Sequence, residues 1–182
     1  MNNNPYKRQG QMGHLQSYFY TDTICDHKHL LAEDKMKMVV INSWKYLVEA
    51  KKIKIYAFVI MPNHIHLIWE MLDINGKESP AGSFAKFTAH QFKKIMQLSN
   101  PIELEKYKVD KSDRQYQFWK RDPLAIPLTF EASFIQRLQY IHNNPVKEKW
   151  QLADLPENYR WSSANFYENG IDEFGILTDY RV

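Results

Sequence analysis

The sequence predicts an α+β fold in which a central antiparallel sheet of about four strands carries helices on one face. Segments with strand character and segments with helical spacing follow the order strand, helix, strand, strand, helix, strand. The two middle strands are separated only by Pro62-Asn63. One more helix and an aromatic-rich tail follow these six elements. This order is the split βαβ pattern of ferredoxin-like folds, extended at its C-terminal end.

The first half of the chain supplies one helix and a central hairpin. Alternating residues predict a strand over 14–23, and apolar residues at three- and four-residue spacing predict a helix over 33–50, with Asp34 as its cap. β-branched and aromatic residues predict strands over 53–60 and 64–69. Because so short a connection joins these strands, we expect an antiparallel hairpin at the centre of the sheet.

The second half is predicted to hold two more helices and the fourth strand. Apolar stripes indicate helices over residues 83–98 and 130–143, the latter ending before Pro145. The charged stretch 100–114 is expected to be an excursion with little core. The aromatic stretch 116–120 is expected to be the fourth strand.

Length and composition indicate one globular domain. The chain has 182 residues, of which 44% are hydrophobic, and a formal net charge of +3 that permits a polyanionic partner without requiring one. No apolar run approaches the roughly 20 residues that span a membrane. Cys25 is the single cysteine, which excludes an intramolecular disulfide and favours a cytoplasmic location. We expect a flexible arm over residues 1–13, a body over 14–150 and an extension over 151–182 docked on that body.

The motif His64-Ile65-His66 is a candidate metal site. With strand period two, both imidazoles fall on one face and can converge on one ion, while Ile65 points to the core. The alternative is the solvated face of an amphipathic strand. A second His-x-His motif at residues 27–29 has polar surroundings and no strand pattern, so it is interpreted as a surface loop.

Tyr140 and Asn144 lie four residues apart on the third predicted helix and therefore share a face. Tyrosine offers a phenolic nucleophile, and the Asn144 amide oxygen offers a third neutral metal ligand. Two histidines and an amide leave coordination positions open for the oxygens of a phosphodiester. The alternatives are a tyrosine at the rim of the core and an asparagine that only stops the helix before Pro145. His142 is interpreted as a helix-surface residue.

Three motifs in this order resemble the REP-associated tyrosine transposases, relatives of the single-tyrosine HUH transposases of small bacterial insertion sequences. The likeness extends over about residues 18–180 and includes a fourth segment, Phe118-Trp-Lys-Arg-Asp122. The three motifs are Val59-Ile-Met-Pro-Asn-His-Ile-His-Leu-Ile68, Tyr140-Ile-His-Asn-Asn-Pro-Val146 and Tyr159-Arg-Trp-Ser-Ser-Ala164.

The resemblance implies a metal-dependent endonuclease and strand transferase. It makes His64 and His66 metal ligands, Tyr140 the nucleophile and Asn144 the third ligand, at a position where the insertion-sequence relatives have glutamine. The shorter asparagine side chain must then reach the ion. The implied cofactor is Mg²⁺ or Mn²⁺, of which Mn²⁺ accepts imidazole more readily.

The resemblance also implies a partner, which is single-stranded DNA beside a short hairpin. Residues 14–150 would then be an HUH transposase domain, acting in the cytoplasm at the nucleoid. A monomer is expected, with a homodimer as the alternative. Two alternatives stay open: a catalytically retired module that binds DNA or RNA, and a hydrolase in which water attacks and Tyr140 is structural. The candidates for contact with DNA, each of which could equally be plain surface charge, are Lys86, Lys120, Arg121 and Arg137.

Overall fold

The computed structural model describes residues 12–182, so almost all of the predicted N-terminal arm, residues 1–13, lies outside the described residues. The described chain forms a central sheet, a separate two-stranded hairpin and helices on both sides of the sheet. In chain order the elements are β1 (Ser17–Thr23), α1 (Asp34–Glu49), β2 (Ile53–Ile60), β3 (His64–Met71), α2 (Pro80–Ser99), α3 (Pro101–Glu105), β4 (Lys108–Lys111), β5 (Arg114–Tyr116), β6 (Leu124–Pro127), α4 (Glu131–His142) and α5 (Ala164–Asn169).

The central sheet has four antiparallel strands in the order β2-β3-β1-β6, which confirms the predicted α+β class and the central hairpin. The strand that carries His64 and His66 is an interior strand, because β3 pairs with β2 on one side and with β1 on the other. None of the helices formed by residues 12–182 combines the length and apolar content needed to cross a membrane.

The fourth strand is not the predicted segment 116–120 but β6. Phe118 and Trp119 are buried, at 2% and 6% exposure, because they pack against Phe92 of α2. The Trp119 indole Nε1 donates to Thr88 Oγ1 on the same helix at 2.8 Å. The aromatic residues therefore fill the core beneath α2, and their backbone forms only an isolated antiparallel bridge, from Trp119 to Ile24, just past the end of β1.

Two smaller expectations also need correction. The charged stretch 100–114 contains α3 and most of the β4–β5 hairpin, and it contributes the buried side chains of Leu104 and Tyr107 to the core. Asp34 does not cap α1 from outside: Glu33 is the N-cap residue, without a side-chain hydrogen bond to the helix. Asp34 is the first helical residue, and its carboxylate accepts a hydrogen bond from Lys37 Nζ at 2.9 Å.

The two faces of the sheet carry different helices. On one face Phe58, which pairs with Leu67, packs against Trp44 of α1, and Trp44 in turn stacks on Phe84 of α2. The opposite face carries His66, and α4 lies against it with Tyr140 in contact with the imidazole. Alternation along β3 thus separates the core from the site, as the spacing of the two histidines predicts.

The C-terminal segment covers the outer edge of β2. Ile60 N donates to Trp161 O at 2.8 Å, Ser163 N donates to Phe58 O at 3.0 Å, and Thr178 N donates to Ile55 O at 2.7 Å. These bonds satisfy backbone groups that an edge strand would otherwise expose. His142 at the end of α4 joins this segment.

The interpretation of His142 as a helix-surface residue is wrong. Its imidazole is half-buried and forms a hydrogen bond through Nε2 with Ser163 Oγ at 2.9 Å. Burial lowers the pKa of the His142 imidazole to about 4, so the ring is neutral at neutral pH. His142 therefore ties α4 to the C-terminal segment, on the side of the helix away from Tyr140.

Replacing Trp44 with alanine is expected to lower the free energy of unfolding by about 3–5 kcal/mol. The indole is fully buried between the sheet and α2, so its removal leaves a cavity. Urea denaturation followed by circular dichroism measures the change. Tyr46→Ala, at a position 58% exposed on the same helix, is the control and should shift stability by less than about 0.5 kcal/mol. Equal effects of the two substitutions would contradict this packing.

Candidate functional site

The four residues predicted to form the site line one cavity of about 370 Å³ within a single chain. His64 and His66 come from β3, Tyr140 from the last turn of α4, and Asn144 from the turn that follows. The ring centroids of His64 and His66 are 4.7 Å apart, and those of His66 and Tyr140 are 5.1 Å apart. The other described residues that line the cavity are Thr23, His27, Asn63, Lys147, Lys149 and Trp150.

His66 is held by its neighbours on β1. Its Nδ1 forms a hydrogen bond with Thr21 Oγ1 at 2.7 Å, and its ring stacks on Phe19 with centroids 5.4 Å apart. Its Nε2 is buried and has no hydrogen-bond partner among the described residues. A buried nitrogen without a partner costs free energy unless a bound species occupies it. The site therefore offers one unused nitrogen at this position.

The tautomer of His64 follows from Asn63 in the tight turn before β3. Asn63 Nδ2 donates to the carbonyl oxygen of His27 at 3.2 Å, which turns Oδ1 of the same amide toward His64. That oxygen lies 2.6 Å from His64 Nδ1 and can only accept, so Nδ1 carries the proton. Nε2 of His64 therefore keeps its lone pair, which is the arrangement found in metal-binding histidines.

Both imidazoles are neutral at neutral pH. Burial, with a smaller contribution from the Lys149 ammonium, lowers the pKa of His64 to about 4. Burial, followed by the neighbouring His64, lowers the pKa of His66 well below its usual value. Neutral imidazole is the form that binds metal ions.

The donors available for a metal ion carry no negative charge. No Asp or Glu is among the described residues that line the cavity, whereas Lys147 and Lys149 are. Residues 12–182 contain no group of three or more His, Cys, Asp or Glu side chains arranged to hold a metal ion. Asn144, which is 3% exposed and also lines the cavity, offers an amide oxygen as a third donor beside the two imidazoles. Two imidazoles and one amide make a neutral donor set.

Tyr140 is accessible from the cavity. Its side chain is 38% exposed, and its ring contacts Phe19 edge-on with centroids 6.0 Å apart. Lys147 Nζ lies 3.9 Å from the centre of the Tyr140 ring, within the range of a cation–π contact. Tyr140 thus shares the cavity with both histidines and with the Lys147 ammonium.

The four basic residues predicted to contact DNA lie at two separate locations on the protein. Lys86, Lys120 and Arg121 line a second cavity of about 600 Å³, whereas Arg137 lies on α4, one turn before Tyr140 and 4.8 Å from the centre of the Phe19 ring. Lys86 forms an ion pair with Glu78 at 2.7 Å. Arg121 lies 3.7 Å from Asp113, and Lys120 Nζ lies 2.7 Å from His27 Nε2. Lys120 therefore stands between the two cavities.

Sequence reasoning missed the residues that orient and flank the site. The sequence predicts a strand at Thr21 and a turn at Asn63, without a role in the site for either residue. His27 is exposed, as expected of a surface loop, but it also lines the cavity and accepts the Asn63 bond through its carbonyl. Lys147 and Trp150 also line the cavity, although no pattern in the sequence indicates a role for them there. The one available signal was Asn63, which directly precedes the first histidine.

Comparison with known proteins gives a likeness of fold. No family model and no curated protein matches the chain. Among solved structures, one described as a REP-associated tyrosine transposase bound to a REP hairpin matches with a TM-score of 0.56. The match covers 96% of this chain and 91% of that chain, at 18% sequence identity. The chain has the fold of that transposase. The roles of His64, His66, Tyr140 and Asn144 stay predictions.

Proposed function

We propose that this protein is a single-stranded-DNA endonuclease and strand transferase that forms a 5′-phosphotyrosine through Tyr140. The observation that carries the proposal is the cavity in which an exposed tyrosine lies 5.1 Å, between ring centroids, from a buried histidine with an unused Nε2. The likeness to a transposase solved with a DNA hairpin supports DNA as the substrate.

In the proposed reaction, the Tyr140 oxygen attacks the phosphorus of a phosphodiester. The bond from phosphorus to the 3′ oxygen breaks, the phenol loses its proton, and the departing 3′ oxygen gains one. The product is a phosphotyrosine linked to the 5′ side of the break and a free 3′-hydroxyl. Because the ester bond is exchanged rather than hydrolysed, a 3′-hydroxyl from another strand can reverse the step without ATP.

His64, His66 and Asn144 would hold the divalent ion. The unused Nε2 of His66 and the deprotonated Nε2 of His64 fit such a role. A bound Mn²⁺ or Mg²⁺ would polarise the phosphorus through its non-bridging oxygens and stabilise the leaving oxygen. Imidazole nitrogens favour Mn²⁺ over Mg²⁺. The chain's own contribution is to keep both imidazoles neutral and oriented and to present Tyr140 beside them.

A covalent adduct tests the proposal. The full chain is incubated with Mn²⁺ and single-stranded oligonucleotides that carry an imperfect hairpin. A protein–DNA species that survives denaturing electrophoresis is expected, and mass spectrometry of its peptides should locate the nucleotide on Tyr140. Cleavage without an adduct would instead indicate a hydrolase in which water attacks. Binding without cleavage on any oligonucleotide would indicate a module that only binds nucleic acid.

Replacing Thr21 with valine is expected to lower Mn²⁺ affinity in the presence of DNA by about 10- to 100-fold. The substitution keeps the shape of the side chain but removes the hydroxyl that holds His66 Nδ1 at 2.7 Å. Electron paramagnetic resonance of free Mn²⁺ measures the affinity. Thr23→Val is the control, since Thr23 also lines the cavity but has no side-chain hydrogen bond to either histidine. Equal losses in both variants would exclude a specific role for Thr21.

A further inference from the structure

The turn that follows α4 forms one wall of the cavity. Its side chains Lys147, Lys149 and Trp150 line the cavity together with Tyr140. Hydrogen bonds within the turn fix its backbone. Trp150 N donates to Lys147 O at 2.8 Å, and Leu152 N donates to Pro145 O at 2.9 Å. These three residues are therefore a defined surface, which we term the 147–150 wall.

Trp150 provides an aromatic plane beside the histidines. Its indole is half-buried, with ring centroids 5.8 Å from His64 and 5.9 Å from His29. The indole thus contacts protein groups on part of its surface and borders the cavity with the rest. Aromatic side chains in this position bind unpaired bases by stacking, and a base held in a duplex is not available to them.

The two lysines of the wall carry positive charge that no carboxylate neutralises. Lys147 Nζ lies over the Tyr140 ring at 3.9 Å and Lys149 Nζ over the Trp150 ring at 5.3 Å, and neither forms an ion pair within residues 12–182. Of the four other candidates for DNA contact, two are paired with carboxylates: Lys86 with Glu78 and Arg121 with Asp113. Glu148 lies between the two lysines in sequence but does not line the cavity.

We propose that the 147–150 wall binds the nucleotide next to the scissile phosphate. Trp150 stacks on the unpaired base of that nucleotide. Lys147 contacts the phosphate that Tyr140 attacks, and Lys149 contacts the phosphate on the other side of the nucleotide. The inference rests on the proposed function, because it names the substrate feature that the same site selects. Selection of single-stranded DNA then follows from the site itself, since only an unpaired nucleotide presents a free base face there.

An abasic scan tests the stacking role. Single-stranded oligonucleotides carry one abasic position at a time on either side of the cleavage point, and their binding to Tyr140→Phe protein is measured by fluorescence anisotropy. One position is expected to lower affinity by about tenfold or more. Trp150→Ala should lower affinity for the intact oligonucleotide by a similar factor, and combining it with the sensitive abasic position should cause no further loss. Trp150→Phe should restore much of the affinity, because phenylalanine keeps an aromatic face.

The lysine role is tested by single-turnover adduct formation. Lys147→Gln is expected to slow the adduct rate more than it weakens binding, with partial recovery in Lys147→Arg. Lys93→Gln is the matched control, because Lys93 Nζ also lies over a tyrosine ring, that of Tyr116 at 5.1 Å, outside the site. A rate unchanged by Lys147→Gln, or lowered equally by the control, would overturn this role.

The results separate the inference from the proposed function. If the adduct forms but the abasic scan is flat, or Trp150→Ala weakens every oligonucleotide equally, the wall does not stack a base and the inference fails alone. If the abasic position responds and depends on Trp150 while no adduct forms on any oligonucleotide, the inference holds for binding and the proposed chemistry fails. Circular dichroism of each variant confirms that it is folded.

Discussion

Replacing Tyr140 with phenylalanine is expected to reduce covalent adduct formation by at least about a thousandfold while leaving DNA affinity nearly unchanged. The substitution removes one oxygen, which is the proposed nucleophile. The ring remains, and with it the contacts to Phe19, His66 and Lys147. Denaturing electrophoresis measures the adduct, and fluorescence anisotropy measures binding of the same oligonucleotide.

The control for Tyr140→Phe is Tyr116→Phe. Tyr116 also lies beneath a lysine ammonium, that of Lys93, but it borders the second cavity instead of the histidine cavity. This variant should form the adduct at the wild-type rate. Cleavage that persists in Tyr140→Phe would assign the attack to water and make Tyr140 structural. An adduct that persists would place the nucleophile on another side chain.

The predicted fold was correct where local patterns determine it. The connection Pro62-Asn63 is too short for anything but a hairpin, and the apolar stripes of α1, α2 and α4 are clear in the sequence. The fourth strand was misplaced because β6 has only four residues, Leu124–Pro127, with prolines on both sides of its apolar centre. The neighbouring aromatic pair Phe118 and Trp119 has a stronger strand pattern, although tertiary packing against α2 is what buries it.

In the candidate site, too, the residues that could be predicted are those placed by spacing within one segment, and the others depend on contacts between distant segments. Strand period places His64 and His66 on one face, so that pair could be predicted from its own spacing. Asn144 lies in the turn past the end of α4, at His142, although it lines the same cavity as Tyr140. Thr21 reaches His66 only through the pairing register of β1 with β3, which joins residues 45 apart in sequence. The 147–150 wall could not be predicted because its residues lie in a turn, which has no regular spacing of side chains.

In the proposed reaction, the charge of the donor set would make metal binding and DNA binding depend on each other. Two neutral imidazoles and an amide cannot offset the charge of a divalent ion, and Lys147 and Lys149 oppose it. A phosphodiester would bring the missing negative charge and, by the proposed binding mode, would also contact the lysines. The ion and the phosphate should therefore each bind better when the other is present, by the same factor.

Mn²⁺ is accordingly expected to bind the Tyr140→Phe protein at least about tenfold more tightly in the presence of an uncleaved single-stranded oligonucleotide than in its absence. Isothermal titration calorimetry measures both affinities without any turnover. Asn144→Asp is the informative variant, because it adds a carboxylate at the position of the third ligand without changing the size of the side chain.

Asn144→Asp should bind Mn²⁺ more tightly than the parent without DNA and should gain less from added DNA, since the carboxylate already supplies the charge that the phosphate otherwise brings. His66→Ala should bind Mn²⁺ weakly in both conditions, because it removes the buried Nε2. If Mn²⁺ affinity in the parent protein is the same with and without DNA, the phosphate does not complete the coordination of the ion. If, in addition, His66→Ala binds Mn²⁺ as tightly as the parent, the metal binds elsewhere, and His64, His66 and Asn144 lose their proposed role.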